Sequence, residues 1–357
     1  MIKYIGSKRV LVPWITETIC RVSQVTPLRR VVDLFSGSAR VGHALKAQGF
    51  YVIANDHNAY AQVLAQALVG ADARKYPVGK IQPILERLAA LKPKTGWFTQ
   101  TYCLKARYFQ PKNGARIEAI REAIEAYQAD PTLRAILLTS LLLAADKVDS
   151  TTGIQMAYLK RWAPRAWNEL HLAYPPLLPG SGEAHLGDAL EVAGALEGDL
   201  FYLDPPYNAH SYLGNYHVWE TLVRFDNPAT YGVAQKRTDV RERKSPFNSK
   251  KEAKAALEQL LARIKAPHLV LSFSDEGFFR PEEIEALLEG WGFVVRLSRP
   301  HRRYVGARIG IYNPQGVKVG QVSHTENREF LFVASQKRAV ALALAQGEPT
   351  AKLALGG

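Results

Sequence analysis

The chain has 357 residues, 47% of them hydrophobic and 22% charged, so it can bury a proper core and is neither disordered nor a minimal domain needing cross-links. Lys and Arg number 46 against 33 Asp and Glu, a formal net charge of +13 that favours a polyanionic partner through long-range attraction. Cys20 and Cys103 supply neither a disulfide framework nor a thiolate metal site. The longest apolar stretch, Ala135 to Ala145, is too short for a bilayer, and the start Met1-Ile2-Lys3-Tyr4 offers no signal-peptide core. The expectation is a cytoplasmic protein with no bound metal and no membrane partner.

Apolar residues Leu11, Trp14, Ile15, Ile19 and Val22 recur at helical spacing. Val31 to Phe35 reads as a buried strand that ends at the turn Ser36-Gly37-Ser38, and a helix follows with Gly49 at its end. Phe50 to Asn55 is a second strand with Asp56 at its carboxyl end, and residues 58–69 return to helix. Strand, turn, helix, strand is the opening of a doubly wound parallel sheet. From Gly70 to Gly180 the pattern holds helices but no convincing strand, and the Pro/Gly-rich stretch 175–182 leads back to the sheet. Further strands are expected at 184–188, 199–203, 268–273, 293–297 and 330–334, with helices at 250–264 and 281–291. The Ala/Leu-rich tail, 336–357, takes no assignment from its pattern.

Two segments carry chemistry. Asp33-Leu34-Phe35-Ser36-Gly37-Ser38-Ala39 lies at a strand-to-helix turn, where glycine admits a ligand close to the backbone and the helix offers free N–H groups. Gly37 and Gly42 do not fit the G-x-G-x-x-G spacing of a dinucleotide site, so a nucleoside cofactor without a pyrophosphate suits the turn better. Asp56 follows Asp33 at about the interval of a carboxylate that holds a ribose diol. Asp204-Pro205-Pro206-Tyr207 then follows a strongly apolar strand, and the two prolines make a rigid turn rich in carbonyl acceptors. An acid, a carbonyl and an aromatic ring on one stiff loop suit methylation of an aromatic amine. Accepting both N–H bonds of adenine's amino group localises its lone pair, and Tyr207 can stack on an extruded base.

With these motifs in order, the chain resembles the adenine-specific DNA methyltransferases of the alpha group, the Dam-like class. Tyr4-Ile5-Gly6-Ser7-Lys8 stands where the family has an aromatic-x-Gly-x-Lys segment, though without its usual Trp and paired Gly. Gly187-Asp188-Ala189 stands where a cofactor-adenine motif is expected. The segment 208–220 resembles methyltransferases of restriction–modification systems that act at asymmetric sites, and the stretch from Tyr304 to Glu329 is similar to the family as well.

The resemblance implies a Rossmann-like core binding S-adenosylmethionine, formed by residues 1–69 and 181–335 and interrupted by a mainly helical insertion at 70–180. Tyr4, Gly6 and Lys8 would line the cofactor or base pocket. Asp33 and Gly37 would approach the cofactor's methionine part, Asp56 its ribose and Asp188 its adenine, with Phe35 and Ser38 also binding the cofactor. Asp204 to Tyr207 would be catalytic. The partner would be double-stranded DNA, with a restriction endonuclease as a candidate companion.

Basic groups at Lys160 and Arg161, at Lys236, Arg237, Arg241, Arg243 and Lys244, and at Arg302 and Arg303 are candidate DNA contacts. Base-reading residues cannot be separated from phosphate-positioning ones by spacing. Alternatives are methylation of the cytosine amino group or of guanine in RNA, or a DNA-binding module that has lost activity.

Overall fold

A computed structural model describes residues 1–6, 8–302, 311–312, 318–320, 326–346 and 350–354. Its centre is a sheet of strands β1 (Arg30–Asp33), β2 (Tyr51–Asp56), β3 (Glu183–Leu186), β4 (Leu200–Leu203), β5 (His268–Ser274), β6 (Phe293–Arg302), β7 (Glu326–Ser335) and β8 (Lys352–Ala354). The spatial order is β8-β6-β7-β5-β4-β1-β2-β3. Strands β3, β2, β1, β4 and β5 run parallel, β7 is antiparallel to both β5 and β6, and β8 is antiparallel to β6. This is the mixed α/β sheet expected of a class I methyltransferase. From β1 the chain winds outward through β2 to β3, and from β4 it winds the other way to β5. The β1–β4 boundary is therefore the switch point, where a doubly wound sheet leaves a crevice beyond its carboxyl ends.

Both sheet faces are covered, so the central strands are apolar throughout rather than alternating. Alternation survives as a choice of layer. Val31, Val52, Tyr202 and Val270 enter one hydrophobic cluster, and Val32, Ile53, Phe201 and Leu269 enter the other. On the first face lie α1 (Val12–Val25), α2 (Arg40–Ala47) and α3 (Ala59–Ala65), the last extended by a π-helical turn at Gln66–Gly70. Helices α4 (Val78–Ala89), α5 (Pro111–Ile124) and α6 (Pro131–Asp146) of the inserted region share that cluster. Helix α6 is apolar nearly all round because it is buried nearly all round. After α6 the inserted region is largely irregular to Gly182, apart from a short 3₁₀ turn at Pro164–Trp167, and among its described residues it holds no strand. Helix α7 (His217–Arg224) also joins the first face, while α8 (Ala253–Arg263) and α9 (Pro281–Leu288) cover the second.

Two features lie beyond the reach of pattern. Strands β6 and β7 pair over ten residues, past their apolar stretches, because backbone bonding continues where Arg299 and His301 face Glu329 and Asn327. The tail forms helix α10 (Arg338–Gln346), which packs Val340, Ala341 and Leu344 into the first cluster, and edge strand β8. No helix among the described residues is long and apolar enough to cross a membrane.

Candidate active site

At the end of β1, Asp33 is 1% exposed. Its Oδ2 accepts from the Gly42 N–H at 3.0 Å, and its Oδ1 is buried without a partner. Burial, reinforced by the nearby Asp204 carboxylate, pushes Asp33 up to about 7. The turn that follows is clamped from β2. Asp56 Oδ2 accepts from the Gly37 N–H at 2.9 Å, and Asp56 Oδ1 accepts from the Asn58 N–H at 2.9 Å. Asn55 Nδ2 donates to the carbonyls of Leu34 and Gly187, which ties the β1, β2 and β3 loops together. Gly37 has φ +51°, and a Cβ there would lie 3.1 Å from the Tyr4 ring. Two constraints thus require glycine at this position.

The N-terminal segment reaches this turn from outside the sheet. Lys3 anchors it, with Nζ 2.8 Å from Asp149 Oδ1 and its N–H on Asp146. Tyr4 is stacked between Tyr212, with centroids 5.2 Å apart, and Tyr216, at 4.7 Å, both at 11° between planes. Tyr216 Oη accepts from the Ile5 N–H at 2.5 Å. Sequence reasoning assigned Tyr4 to the pocket but missed Tyr212 and Tyr216. Their position just after the Pro-Pro turn was the available signal.

Lys8, 6% exposed, brings this segment to the Pro-Pro corner: its Nζ lies 3.0 Å from Asp204 Oδ1. Burial opposes the Lys8 charge, yet Asp204, Tyr207, Glu329 and Tyr202 together outweigh it and hold Lys8 well above its ordinary value. Burial in turn raises Asp204, with Lys8 opposing. Tyr207 packs at 5.3 Å from Phe273 and 5.6 Å below Lys8 Nζ, and its N-terminal neighbour Pro206 lines the cleft. Tyr207 is pushed up to about 12, because burial and nearby carboxylates outweigh Lys8. Glu329 on β7 is a further buried acid of this corner. Burial, with Asp204 adding and Lys8 opposing, raises it to about 7, and its Oε2 has no partner.

These groups surround one cleft of about 730 Å³, open to solvent, at the switch point. Tyr4, Gly6, Lys8, Asp33, Phe35, Gly37, Ser38, Asp56 and Asp204 all line it. Asp188 does not. Its carboxylate caps the short helix Ala189–Val192 by accepting from the Leu190 N–H at 2.8 Å, while Gly187 and Ala189 reach the cleft. Asp33 Oδ1, Ser36 Oγ and the side-chain oxygens of Asn55 and Asn58 are buried, unpartnered atoms of lining residues. Buried polar atoms without partners are costly, and here they match a polar nucleoside such as S-adenosylmethionine.

The candidate DNA residues divide. Lys160, Arg161, Arg241 and Lys244 are exposed, and Lys236 is half-buried. Arg237 is 2% exposed and commits its guanidinium to Asp226, at 2.7 Å, and Asp239, at 2.9 Å. Arg243 bonds the buried Glu220 at 3.0 Å and the His57 carbonyl at 3.1 Å. Both are fold ties rather than free cations: the buried Arg237 must satisfy its donors within the protein, and the half-buried Arg243 spends its donors on Glu220 and His57. The side chain of Arg302 and the whole of Arg303 lie outside the described residues.

Comparison with known proteins identifies the family. Residues 4–284 match the family model of the D12 class N6 adenine-specific DNA methyltransferases. The type II methyltransferase M.NlaIII of Neisseria lactamica is 32% identical over 314 residues, covering 84% of this chain and 92% of that protein. M.CviAII of Paramecium bursaria Chlorella virus 1 is 32% identical over 317 residues, with 85% and 92% coverage. M.FokI of Planomicrobium okeanokoites is 29% identical over 322 residues, and the chain spans about half of that longer protein, 49%. With S-adenosylmethionine as its methyl donor, this chain belongs to the D12 class of N6 adenine-specific DNA methyltransferases.

Proposed function

We propose that the chain modifies one specific duplex site as the methylating half of a type II restriction–modification system in the cytoplasm, acting on an adenine turned out of the helix. The pair Lys8–Asp204, beside a cleft lined with unpartnered acceptors, carries this reading. Lys8 occupies Asp204 Oδ1 and favours the ionised carboxylate, leaving Oδ2 to accept one amino hydrogen while the Pro205 carbonyl accepts the other. Both bonds localise the nitrogen lone pair. S-adenosylmethionine supplies the methyl group on a positively charged sulfur. Asp33, the turn through Ser38, and Asp56 hold the cofactor, with Gly187 and Ala189 at its adenine end. Tyr207 and Pro206 bracket the base. The base is its own nucleophile, so no covalent adduct with the protein forms.

Residues 70–180 and the loop 208–249 are the regions assigned to target recognition, with Lys160, Arg161, Lys236, Arg241 and Lys244 on phosphates. A restriction endonuclease reading the same site is the companion this role calls for. The test is methylation-sensitive sequencing of DNA from cells expressing the chain, with nucleoside analysis of the product. N6-methyladenine at one recurring sequence supports the reading; N4-methylcytosine, or methylation without a site, overturns it.

A further inference from the structure

Two segments far apart in sequence meet at one buried phenol. Tyr108 is 0% exposed, and its Oη lies 2.7 Å from the Gln155 carbonyl and 3.0 Å from the Ala234 carbonyl. His217 Nε2 stands 3.0 Å from the same Gln155 carbonyl, and burial depresses its ring to about 3, so it is neutral and donates there. Gln155 is held again from behind, with its N–H on the Asn215 carbonyl at 2.7 Å and its Oε1 accepting from Val218 at 3.0 Å. The chain beside each anchor is thereby fixed next to the other, and each presents an apolar side chain to water. Met156 is 45% exposed and Val233 is 78% exposed, the highest figure for a large hydrophobic side chain among the described residues.

Val233 caps a small hairpin, Thr230–Tyr231 paired with Lys236–Arg237. The tip is braced from inside: Gln235 donates to the Gly232 carbonyl from both its backbone and its side chain, at 3.0 Å each, and Thr230 Oγ1 bonds Gln235 Oε1 at 2.8 Å. The buried Arg237 pins the hairpin's base through Asp226 and Asp239. A branched apolar residue held rigidly in solvent contributes nothing to the core. Its surroundings are cationic. Arg241 lies 3.8 Å over Tyr231, and Arg107, 4.6 Å over Trp162, donates to the Lys160 carbonyl beside the exposed Lys160 and Arg161. Apolar tips within a basic rim suit the base stack of a duplex, where phosphates flank an apolar interior.

We propose that Met156 and Val233 form a wedge that enters the duplex and fills the gap left when the target adenine is extruded. The inference rests on the reading of the chain as a duplex-DNA adenine methyltransferase. A wedge holds the duplex open, so its loss matters only where a base must be unstacked and unpaired. The test uses the full chain with M156A and V233A combined, on duplexes carrying the mapped site with the target adenine opposite thymine or opposite an abasic position.

We expect the single-turnover rate on the paired duplex to fall about 10–100-fold, matching loss of help with an unstacking step of a few kcal/mol. The rate on the abasic duplex should stay within about twofold of the unaltered protein, by the same reasoning. 2-Aminopurine at the target position should brighten on binding the unaltered protein but not the variant. Equal losses on both duplexes, or no loss on the paired one, overturn the wedge. If the unaltered chain methylates neither duplex, the underlying reading fails first and takes the wedge with it.

Discussion

Lys8 Nζ stands 3.0 Å from Asp204 Oδ1, and this contact joins the first ten residues of the chain to a corner almost two hundred residues later. In the proposed mechanism the lysine takes the carboxylate edge that the substrate does not need. Replacing Asp204 with Ala is expected to lower the single-turnover methylation rate by about 10²–10⁴-fold, the scale for losing a positioned proton acceptor. Near-normal turnover would show that the amine needs no help from this group.

Lys8→Met tests the electrostatic half of the same pair. Lys8 opposes the upward pull of burial on Asp204, so its removal lets that carboxyl rise further. On the proposed mechanism methylation requires the ionised form, and the acid limb of the rate profile should move to higher pH in the variant. A limb that stays in place would separate Lys8 from the ionisation of Asp204.

Gly37→Ala should weaken cofactor binding without unfolding the protein. The substitution puts a Cβ 3.1 Å from the Tyr4 ring at φ +51°, a backbone region that costs an L-residue about 1–2 kcal/mol. Calorimetric titration with S-adenosylmethionine is expected to show affinity reduced by about tenfold or more, since 1.4 kcal/mol is a factor of ten. Unchanged affinity would mean that the turn does not approach the cofactor.

The cleft also makes stability depend on pH. Asp33 and Glu329 are both raised to about 7, so the fold favours their neutral forms. That stability is fully present below the unfolded carboxyl range and is lost as pH rises through about 7. Cofactor-free protein should therefore melt at lower temperature at pH 8 than at pH 5.5. Asp33→Asn, which can still accept from Gly42, should be more stable than the parent at pH 8 by ~2–4 kcal/mol, the order for a buried carboxyl shifted this far. The difference should shrink at low pH. Denaturant melts at the two pH values decide it, and a D33N variant no more stable than the parent at pH 8 would refute the burial argument.

Two neighbouring cations should behave differently. Arg237→Ala strands Asp226 and Asp239 and is expected to destabilise the fold by about 3 kcal/mol, the low end for breaking a buried ion pair. Lys244→Ala removes an exposed charge and should leave the melting temperature alone. It should weaken DNA binding across sequences and lower the salt slope by about one. Unfolding titrations and binding isotherms at several salt concentrations distinguish the two outcomes.

Local sequence determined the Pro-Pro corner. Two prolines after an apolar strand dictate a stiff turn whatever surrounds it, and Asp33, Gly37 and Asp56 belong to a strand–turn–helix–strand unit whose parts are neighbours in the chain. The central strands were legible for the same reason, since burial on both faces leaves an apolar run. The tail was not. Helix α10 and edge strand β8 form because α1 and β6 supply their partners, and a short Ala/Leu pattern carries no trace of that.

The tertiary structure alone decided which basic residues are free. Arg237 and Lys244 read alike in a charge run, but a guanidinium's availability depends on acids that folding brings to it, here Asp226 and Asp239. It also decided the stack of Tyr4 between Tyr212 and Tyr216, and the meeting of Gln155 and Ala234 at Tyr108. Periodicity reports contacts between residues close in the chain, whereas these contacts join distant segments and exist only once the sheet has placed them.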